Sequence, residues 1–415
     1  MSSVLRFGSL ITLTVVSLTA QATNGYFTHG TSVRAQGMAG TAMAMAHDSL
    51  TVAVNPASLA ELDSEQQVDL GVTYFKPVRE AEISGNGYGI DGEYDANDSK
   101  AFWMPELGYA KRVNDRISLG LAVYGNGGMN TNYGNNPFAN FGSSGSAGVN
   151  LEQLFVTGTY ALRLNDRHSV GFGATWTRQT FSAKGLQAFA SISQQPDKVS
   201  NNGEDVSTGF GIKLGWQGQL TDTFSAAASW SSRISTSRFE KYSGLFAEQG
   251  GFDIPANYGV GFAWQASQKL TLASDWQYIE YSQVASVGNE LSLMAPLGSD
   301  SGAGFGWNDI NVYKLGAEYA VTHALTLRAG YSYADQPIPA SQTFLNILAP
   351  GVIQKHVSVG GSWQLNEANA LSLAYTHGFE ETVKGENSIP ANFGGGEADI
   401  TMFQNQLAIA WQLVY

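Results

Sequence analysis

The chain has 415 residues, 48 of them glycine and none cysteine, with 12% aromatic and only 14% charged residues and a net charge of −13. Charge is far below the roughly one quarter usual for a soluble domain, yet no apolar run past the N-terminus reaches the ~18 residues a spanning helix needs. The acidity excludes a phosphate-neutralising surface for nucleic acid, and the lack of cysteine excludes a disulfide framework, a thiolate metal site and a cysteine nucleophile.

Residues 1–22 read as a secretory signal: Arg6 supplies the positive start, Leu10 to Leu18 the apolar stretch, and Ala20-Gln21-Ala22 the small-residue cleavage site. The expected mature chain starts at Thr23. Residues 23–62 are rich in Gly, Ala and Met and show no alternation. They are expected to form a plug, or hatch, inside the fold built by the rest of the chain.

From residue 63 to 415 apolar and small or polar residues alternate, the period of a β-strand. Ile117, Leu119, Leu121 and Val123 oppose Ser118, Gly120 and Ala122. Phe210, Ile212, Leu214 and Trp216 oppose Gly211, Lys213, Gly215 and Gln217. The same pattern recurs at Tyr258–Gln265, Tyr313–Val321 and Leu325–Tyr333. A soluble sandwich would carry charges on its outer face. Here the non-apolar face is mostly Gly, Ala, Ser, Thr and Gln, and the apolar face ends repeatedly in Trp or Tyr, as an aromatic girdle at a lipid interface does.

Short polar joints at Asn114-Asp115, Asn165-Asp166, Thr221-Asp222, Ser267-Gln268, Thr322-His323 and Asn366-Glu367 alternate with long segments near 79–99, 126–147, 184–202, 236–251, 283–306, 337–351 and 385–397. Short periplasmic turns and long outer loops are the rule for outer-membrane barrels. The pattern predicts an all-β fold: a transmembrane antiparallel barrel of about fourteen strands with both chain ends on the periplasmic side. The last strand carries Leu407, Ile409, Trp411, Leu413 and Tyr415 on one face, which suits closure onto the first strand.

The small-residue segment Ala44-Met45-Ala46-His47-Asp48, followed by Asn55-Pro56-Ala57 just before the first strand, resembles the FadL-type family of outer-membrane transporters for long-chain fatty acids. That family includes the TodX-like hydrocarbon transporters. The resemblance implies a fourteen-stranded barrel with its N-terminal segment folded inside. It also implies a kinked third strand with a lateral opening, through which hydrophobic cargo leaves into the bilayer. The third strand, expected near 116–125, runs into Gly125, Gly127 and Gly128, which either end it or form a bulge that acts as the lateral gate.

Within the hatch, Asp48, Asn55, Pro56 and Ala57 form the plug motif. Asn24, Gly25, Tyr26, Phe27, Met38, Met43 and Met45 are the candidate ligand contacts, the methionines because they line adaptable apolar pockets. Lys314 and Arg328, lumen-facing on neighbouring strands beside Glu318, are candidate cations for a carboxylate head group. Outer-loop residues Met129, Tyr133, Phe138, Phe141, Leu186, Phe189 and Ile192 are candidates for an apolar capture groove. The six histidines show no metal-ligand spacing, and no cofactor is expected. The expected partners are a hydrophobic small molecule, outer-membrane lipid and lipopolysaccharide, and the barrel-assembly machinery, with the protein a monomer. A general diffusion porin and an outer-membrane phospholipase using His377 with a nearby Ser are the competing functions, though no G-x-S-x-G motif is present.

Overall fold

The computed structural model of the protein describes residues 24–291 and 295–415. The expected leader, residues 1–22, lies outside them. Among the described residues no helix is long and apolar enough to cross a membrane. Crossing is by strands, which form one sheet of sixteen, fourteen making the wall of a closed antiparallel barrel.

The wall strands are β1 (Gln66–Ser84), β2 (Phe102–Arg112), β3 (Ile117–Asn130), β4 (Gly148–Asn165), β5 (His168–Lys184), β6 (Asp205–Thr221) and β7 (Phe224–Ser231). They continue as β8 (Asn257–Gln265), β9 (Leu270–Ile279), β10 (Ile310–Ala320), β11 (Leu325–Ala334), β12 (Lys355–Gln364), β13 (Asn369–Val383) and β14 (Glu397–Val414). Two short strands, Gly92–Asp95 and Ser235–Thr236, sit on the outer rim. β14 pairs with β1 from Gln67–Val414 to Ser84–Glu397, so no edge remains at the closure.

All six short joints are turns between consecutive strands. The alternation fixes the faces. Leu119, Leu121, Phe210, Ile212, Val260, Phe262, Leu315 and Leu327 point out to the lipid, while Ser118, Ala122 and Gln217 are buried toward the lumen. Outward-facing Trp264, Trp363 and Trp411 stand near the periplasmic turns, and Trp103 packs on Tyr74 (centroids 4.9 Å apart) nearer the outer side.

Several strands outrun the expected loops. β1 continues to Ser84 because residues beyond Arg79 pair with Glu397–Thr401 and with the rim strand. β3 does not stop at its glycines: it continues to Asn130, with a register shift between Gly125 and Gly127. β7, in contrast, ends at Ser231, earlier than the expected outer loop begins.

The outer loops close over the barrel as an aromatic dome. Phe138, Phe189, Phe344 and Phe393 are buried and stack on one another with centroids 5.0–6.0 Å apart. Tyr133 and Leu186 are buried in it as well. Leu186, Phe189 and Ile192 share one side because Gln187–Ile192 is a 3₁₀ segment, in which every third residue eclipses. These residues fill the dome rather than lining an open groove.

Candidate functional site: the hatch, a lumen cavity and a window in the wall

The hatch, Asn24 to Leu62, is almost wholly buried and bonds to strands around the whole barrel. Three short helical turns shape it, each capped by a polar side chain. Ser32 accepts from the Ala35 N–H ahead of Val33–Gln36 (3.2 Å), Asp48 from Leu50 ahead of Ser49–Ala53 (3.0 Å), and Asn55 from Ala57 ahead of Pro56–Glu61 (3.0 Å). Pro56 occupies the first helical position, where its missing N–H costs nothing. The plug motif is thus a pair of caps. Asn55 also donates to the Met43 carbonyl (3.1 Å) and the Trp216 carbonyl of β6 (3.2 Å), fastening the cap to the wall.

The small lumen-facing residues now have a physical cause. A Cβ on Gly171 would run into the Pro56–Ala57 backbone, on Gly215 into Asn55, and on Gly330 into the Met38–Ala39 backbone. Hatch and wall meet backbone to side chain and backbone to backbone, so only glycine fits at the contacts. Met38 packs on Gly316 and Gly330, and Met43 on Gly259 and Gly261.

Polar wall residues hold the hatch in place. The Asp275 carboxylate of β9 accepts from the Ala42 N–H (2.8 Å) and the Met43 N–H (3.0 Å). Asp69 of β1 accepts from the Ser49 N–H (2.8 Å) and hydroxyl (2.5 Å). Glu106 of β2 accepts from the Val33 N–H (3.1 Å). Arg34 donates to the His47 carbonyl (2.7 Å) and to Gln412 of β14 (2.8 Å).

A window opens in the wall between β2 and β3. Their ladder runs only from Arg112–Ser118 up to Leu107–Val123. Above it, Phe102–Glu106 of β2 pair with β1 alone, and Tyr124–Asn130 of β3 pair with β4. Bonds between Asn132 and the Ala96–Asp98 backbone close the top. The exposed edge of β3 is taken up from inside by the hatch tip. Thr28 N–H donates to the Asn126 carbonyl (2.7 Å), and Gly128 N–H to the Tyr26 carbonyl (3.0 Å). The tip is added to β3 as an extra strand segment, and Gly127 must be glycine because a Cβ there would overlap the Tyr26 carbonyl.

The tip is gripped from above by the outer loop between β9 and β10. The Tyr281 hydroxyl donates to the Asn24 carbonyl (2.5 Å) and accepts from the Phe27 N–H (3.3 Å). Its ring lies 5.1 Å from Tyr26 and 5.2 Å from Trp307 between centroids. Gly25, at φ +66°, has the Tyr281 ring 2.8 Å from where a Cβ would sit.

Below the tip the lumen holds a cavity. Phe27 and Met43 of the hatch line it, as do Tyr124, Phe155 and Ile254. Asn24, Gly25 and Tyr26 are instead part of the clamp, and Met38 is spent on wall packing. Met45 faces a separate polar vestibule on the periplasmic side, with Arg34, His47, Glu318 and Arg328. The two candidate head-group cations are therefore divided. Lys314 lines the cavity, whereas Arg328 lies in the vestibule, bonded to Glu318 (2.7 Å) and Ser362 (2.6 Å). The second cavity cation is Lys213 of β6, whose amine bonds the Ala53 carbonyl. Its place on the lumen face was visible in the alternation, but only the path of the hatch puts it beside Lys314's cavity.

Titration of buried hatch groups predicts acid sensitivity. Burial holds His47 down at about 4 from 6.5, only partly offset by Glu318, and burial with the nearby charges of His356 and Lys314 holds His29 well below its ordinary value. Burial, then Asp69, raises Asp48 from 3.8 to about 6. A depressed histidine stabilises the docked hatch above pH 6.5, and that stability is lost as pH falls toward 4. The raised Asp48 works the other way, favouring docking as pH falls through 6. Asp48 thus opposes the histidines, and the histidine contribution is isolated by removing it. Between pH 7 and 5, amide exchange in residues 41–49 should rise more in the native protein than in His47→Gln. An unchanged response in His47→Gln would refute the assignment.

The competing functions lose their footing in the geometry. The lumen is filled by the hatch, unlike that of an open porin. His377 bonds Asn405 (2.9 Å) on the outer face of β13 and has no serine partner in that bond. The carboxylates between β1 and β2 are used locally: Asp91 accepts from Gly85 and Asn86, Asp95 from Asn97. Among the described residues no group of three or more His, Asp or Glu is arranged to hold a metal ion.

Comparison with known proteins agrees with this architecture. Residues 13–388 match the family described as "Outer membrane protein transport protein (OMPP1/FadL/TodX)". The chain is 23% identical over 377 residues to the long-chain fatty acid transport protein of Escherichia coli strain K12, covering 81% of this chain and 83% of that one. Its fold is similar to a Pseudomonas aeruginosa FadL homologue (TM-score 0.73, 18% identity, 94% of this chain and 99% of that one). It is also similar to the P. putida toluene transporter TodX (TM-score 0.70, 16% identity, 93% and 99%). A closed fourteen-stranded barrel, wound around its own N-terminal segment and matched along most of its length, belongs to the FadL/TodX family of Gram-negative outer-membrane transport proteins, which are channels and not enzymes.

Proposed function

We propose that this outer-membrane transporter takes up long-chain fatty acids passively, passing them from the dome through the lumen cavity and out sideways through the β2–β3 window. The observation that carries the substrate class is the pair Lys213 and Lys314 on a cavity where Phe27, Tyr124, Phe155, Ile234 and Ile254 give an apolar surface and Asp275, Asn257 and Gln277 a polar one. Lys213 has no carboxylate within ion-pair distance among the described residues, while Lys314 faces Asp275 across the β9–β10 register, beyond direct ion-pair contact. An ionisable side chain at membrane depth marks a functional site, and a carboxylate head group supplies the counter-charge that Lys213 lacks. The tail supplies the driving force, about 0.8 kcal/mol for each CH₂ removed from water. No energy source is needed, only a moving constriction.

The hatch tip is that constriction. A small apolar recess under the dome, lined by Phe75, Met129, Trp307 and Met402, lies on one side of the tip, and the main cavity on the other. An acyl chain that displaces Tyr26 from Trp307 and Tyr281 lifts the segment that also covers the window. One motion then opens both the way in and the way out.

Fluorescent-oleate displacement on purified protein tests the reading. Lys213→Met with Lys314→Met should weaken oleate binding by about 10- to 100-fold, from ~1.5–3 kcal/mol for charge-assisted hydrogen bonds, and leave toluene and dodecane binding unchanged. Unchanged oleate binding would overturn the head-group assignment. Tight toluene binding with no oleate binding by the native protein would shift the substrate to monoaromatic hydrocarbons, the cargo of the TodX relative.

A further inference from the structure

The wall is interrupted a second time, between β7 and β8, several strands around the barrel from β3. The β7–β8 ladder ends at Ser231–Asn257 and resumes only at the isolated bridge Ile234–Ile254, where both N–H groups are bonded (2.9 and 3.1 Å). Ser232 and Ala256 would be the next bonded pair, and each turns its bonds away from the seam. Ser232 exchanges bonds with Ile212 of β6: its N–H donates to the Ile212 carbonyl (2.9 Å), and its hydroxyl accepts from the Ile212 N–H (3.1 Å). The Ala256 carbonyl accepts from Glu280 (3.0 Å). Pro255, next in line, has no N–H to offer. The ladder is therefore missing over Ser232–Arg233 and Pro255–Ala256.

The lumen cavity meets the wall at this break. It is lined there by inward-facing Lys213 and Asn257 and by outward-facing Ile212 and Tyr258, which are 43% and 36% exposed. A cavity that touches both faces of the same strands runs into the wall itself. At its other end the same cavity touches Phe27, Tyr124 and Asn126, beside the window that the hatch tip covers. The break lies at the level of the outer girdle, since Tyr258 clusters with Trp276 and Tyr278 (centroids 5.9 and 5.4 Å). Outside it, Phe210, Ile212 and Leu214 present an exposed apolar surface. Inside it, Ile234 and Ile254 are buried.

We propose that the β7–β8 break is a second side opening, through which a single acyl chain passes between the lumen cavity and the outer leaflet of the bilayer. Its chemistry is that of an elongated apolar tail, with Lys213 placed just inside to meet an anionic head. The proposal rests on the reading of the cavity as a carrier of apolar cargo. It gives that cargo two lateral routes, one gated by the hatch tip and one closed only by side chains.

Acyl chains of the bilayer are themselves the probe. Ser231→Cys and, independently, Asn257→Cys are labelled with bimane, and each protein is reconstituted in phosphatidylcholine with or without brominated acyl chains. Both sites face the lumen, so quenching requires chains to reach through the break. Emission should fall at least twofold relative to Thr376→Cys, an inward-facing position on an unbroken part of the wall. Quenching no greater than that control at both sites would overturn the opening. Radiolabelled oleate binding by the same vesicles reports separately on the cargo. Quenching without oleate binding would uphold the opening and refute the fatty-acid reading.

Discussion

Asp275→Ala should detach the middle of the hatch and turn a closed barrel into a leaky one. The substitution removes the acceptor shared by the N–H groups of Ala42 and Met43, both of which are buried. It also strips the facing Lys314 of the carboxylate opposite it in the β9–β10 register. Breaking a buried charge arrangement from one side costs about 3–5 kcal/mol, and two buried donors left unsatisfied add to it. At about 1.4 kcal/mol per tenfold, the undocked hatch becomes more populated by at least a hundredfold. Planar-bilayer recordings should show frequent, large openings that the native protein lacks. Asp275→Asn keeps one acceptor oxygen and should fall between the two. A native-like record for Asp275→Ala would mean that wall packing alone, through contacts such as Met38 on Gly330, holds the hatch.

Tyr281→Phe should free the tip while leaving the rest of the hatch seated. One hydroxyl group holds both the Asn24 carbonyl and the Phe27 N–H, and each bond is worth ~0.5–1.5 kcal/mol. The ring contacts with Tyr26 and Trp307 survive in the phenylalanine. The tip should therefore undock about 5- to 100-fold more often, and fatty-acid uptake should rise until another step limits it. Amide exchange at Thr28 and Gly128 is the direct readout, because these two N–H groups make the bonds to and from β3. Faster exchange there with unchanged exchange at Leu50 and Ala57 supports the clamp. Protection unchanged at Thr28 and Gly128 refutes it.

Much of the wall was legible in the sequence alone. Lipid on one side and small residues on the other impose a period of two, so the faces of Leu119, Phe210 and Leu315 could be read directly. Turn residues marked each periplasmic joint. The hatch was legible as the stretch without a period, and Asp48 and Asn55 belong to the residue types that cap turns. What stayed hidden depends on contacts across the whole chain. Nothing near Tyr281 announces that it holds Asn24, more than 250 residues away. Asp275 looks like one more charge on a lumen face until the hatch brings two N–H groups to it. Strand ends on the outer side were misjudged for a related reason. Beyond the bilayer the wall no longer faces lipid, so β1 continues through Glu80 and Glu82 without the apolar alternation that marks it lower down.

The bonds at the barrel's closing seam bear on how the wall is held shut. Asp69 on the first strand and Gln412 on the last bond each other (3.1 Å), and each also receives a hatch residue, Ser49 on one and Arg34 on the other. The segment that precedes the barrel in the chain is therefore the clasp between its first strand and its last. A barrel that shut without it would leave these seam groups facing an unfilled lumen, and the glycine-lined interior would then have little side-chain bulk to fill it. The closing seam and the gate thus share one set of bonds, so the stability of the closed wall and the seating of the hatch are coupled.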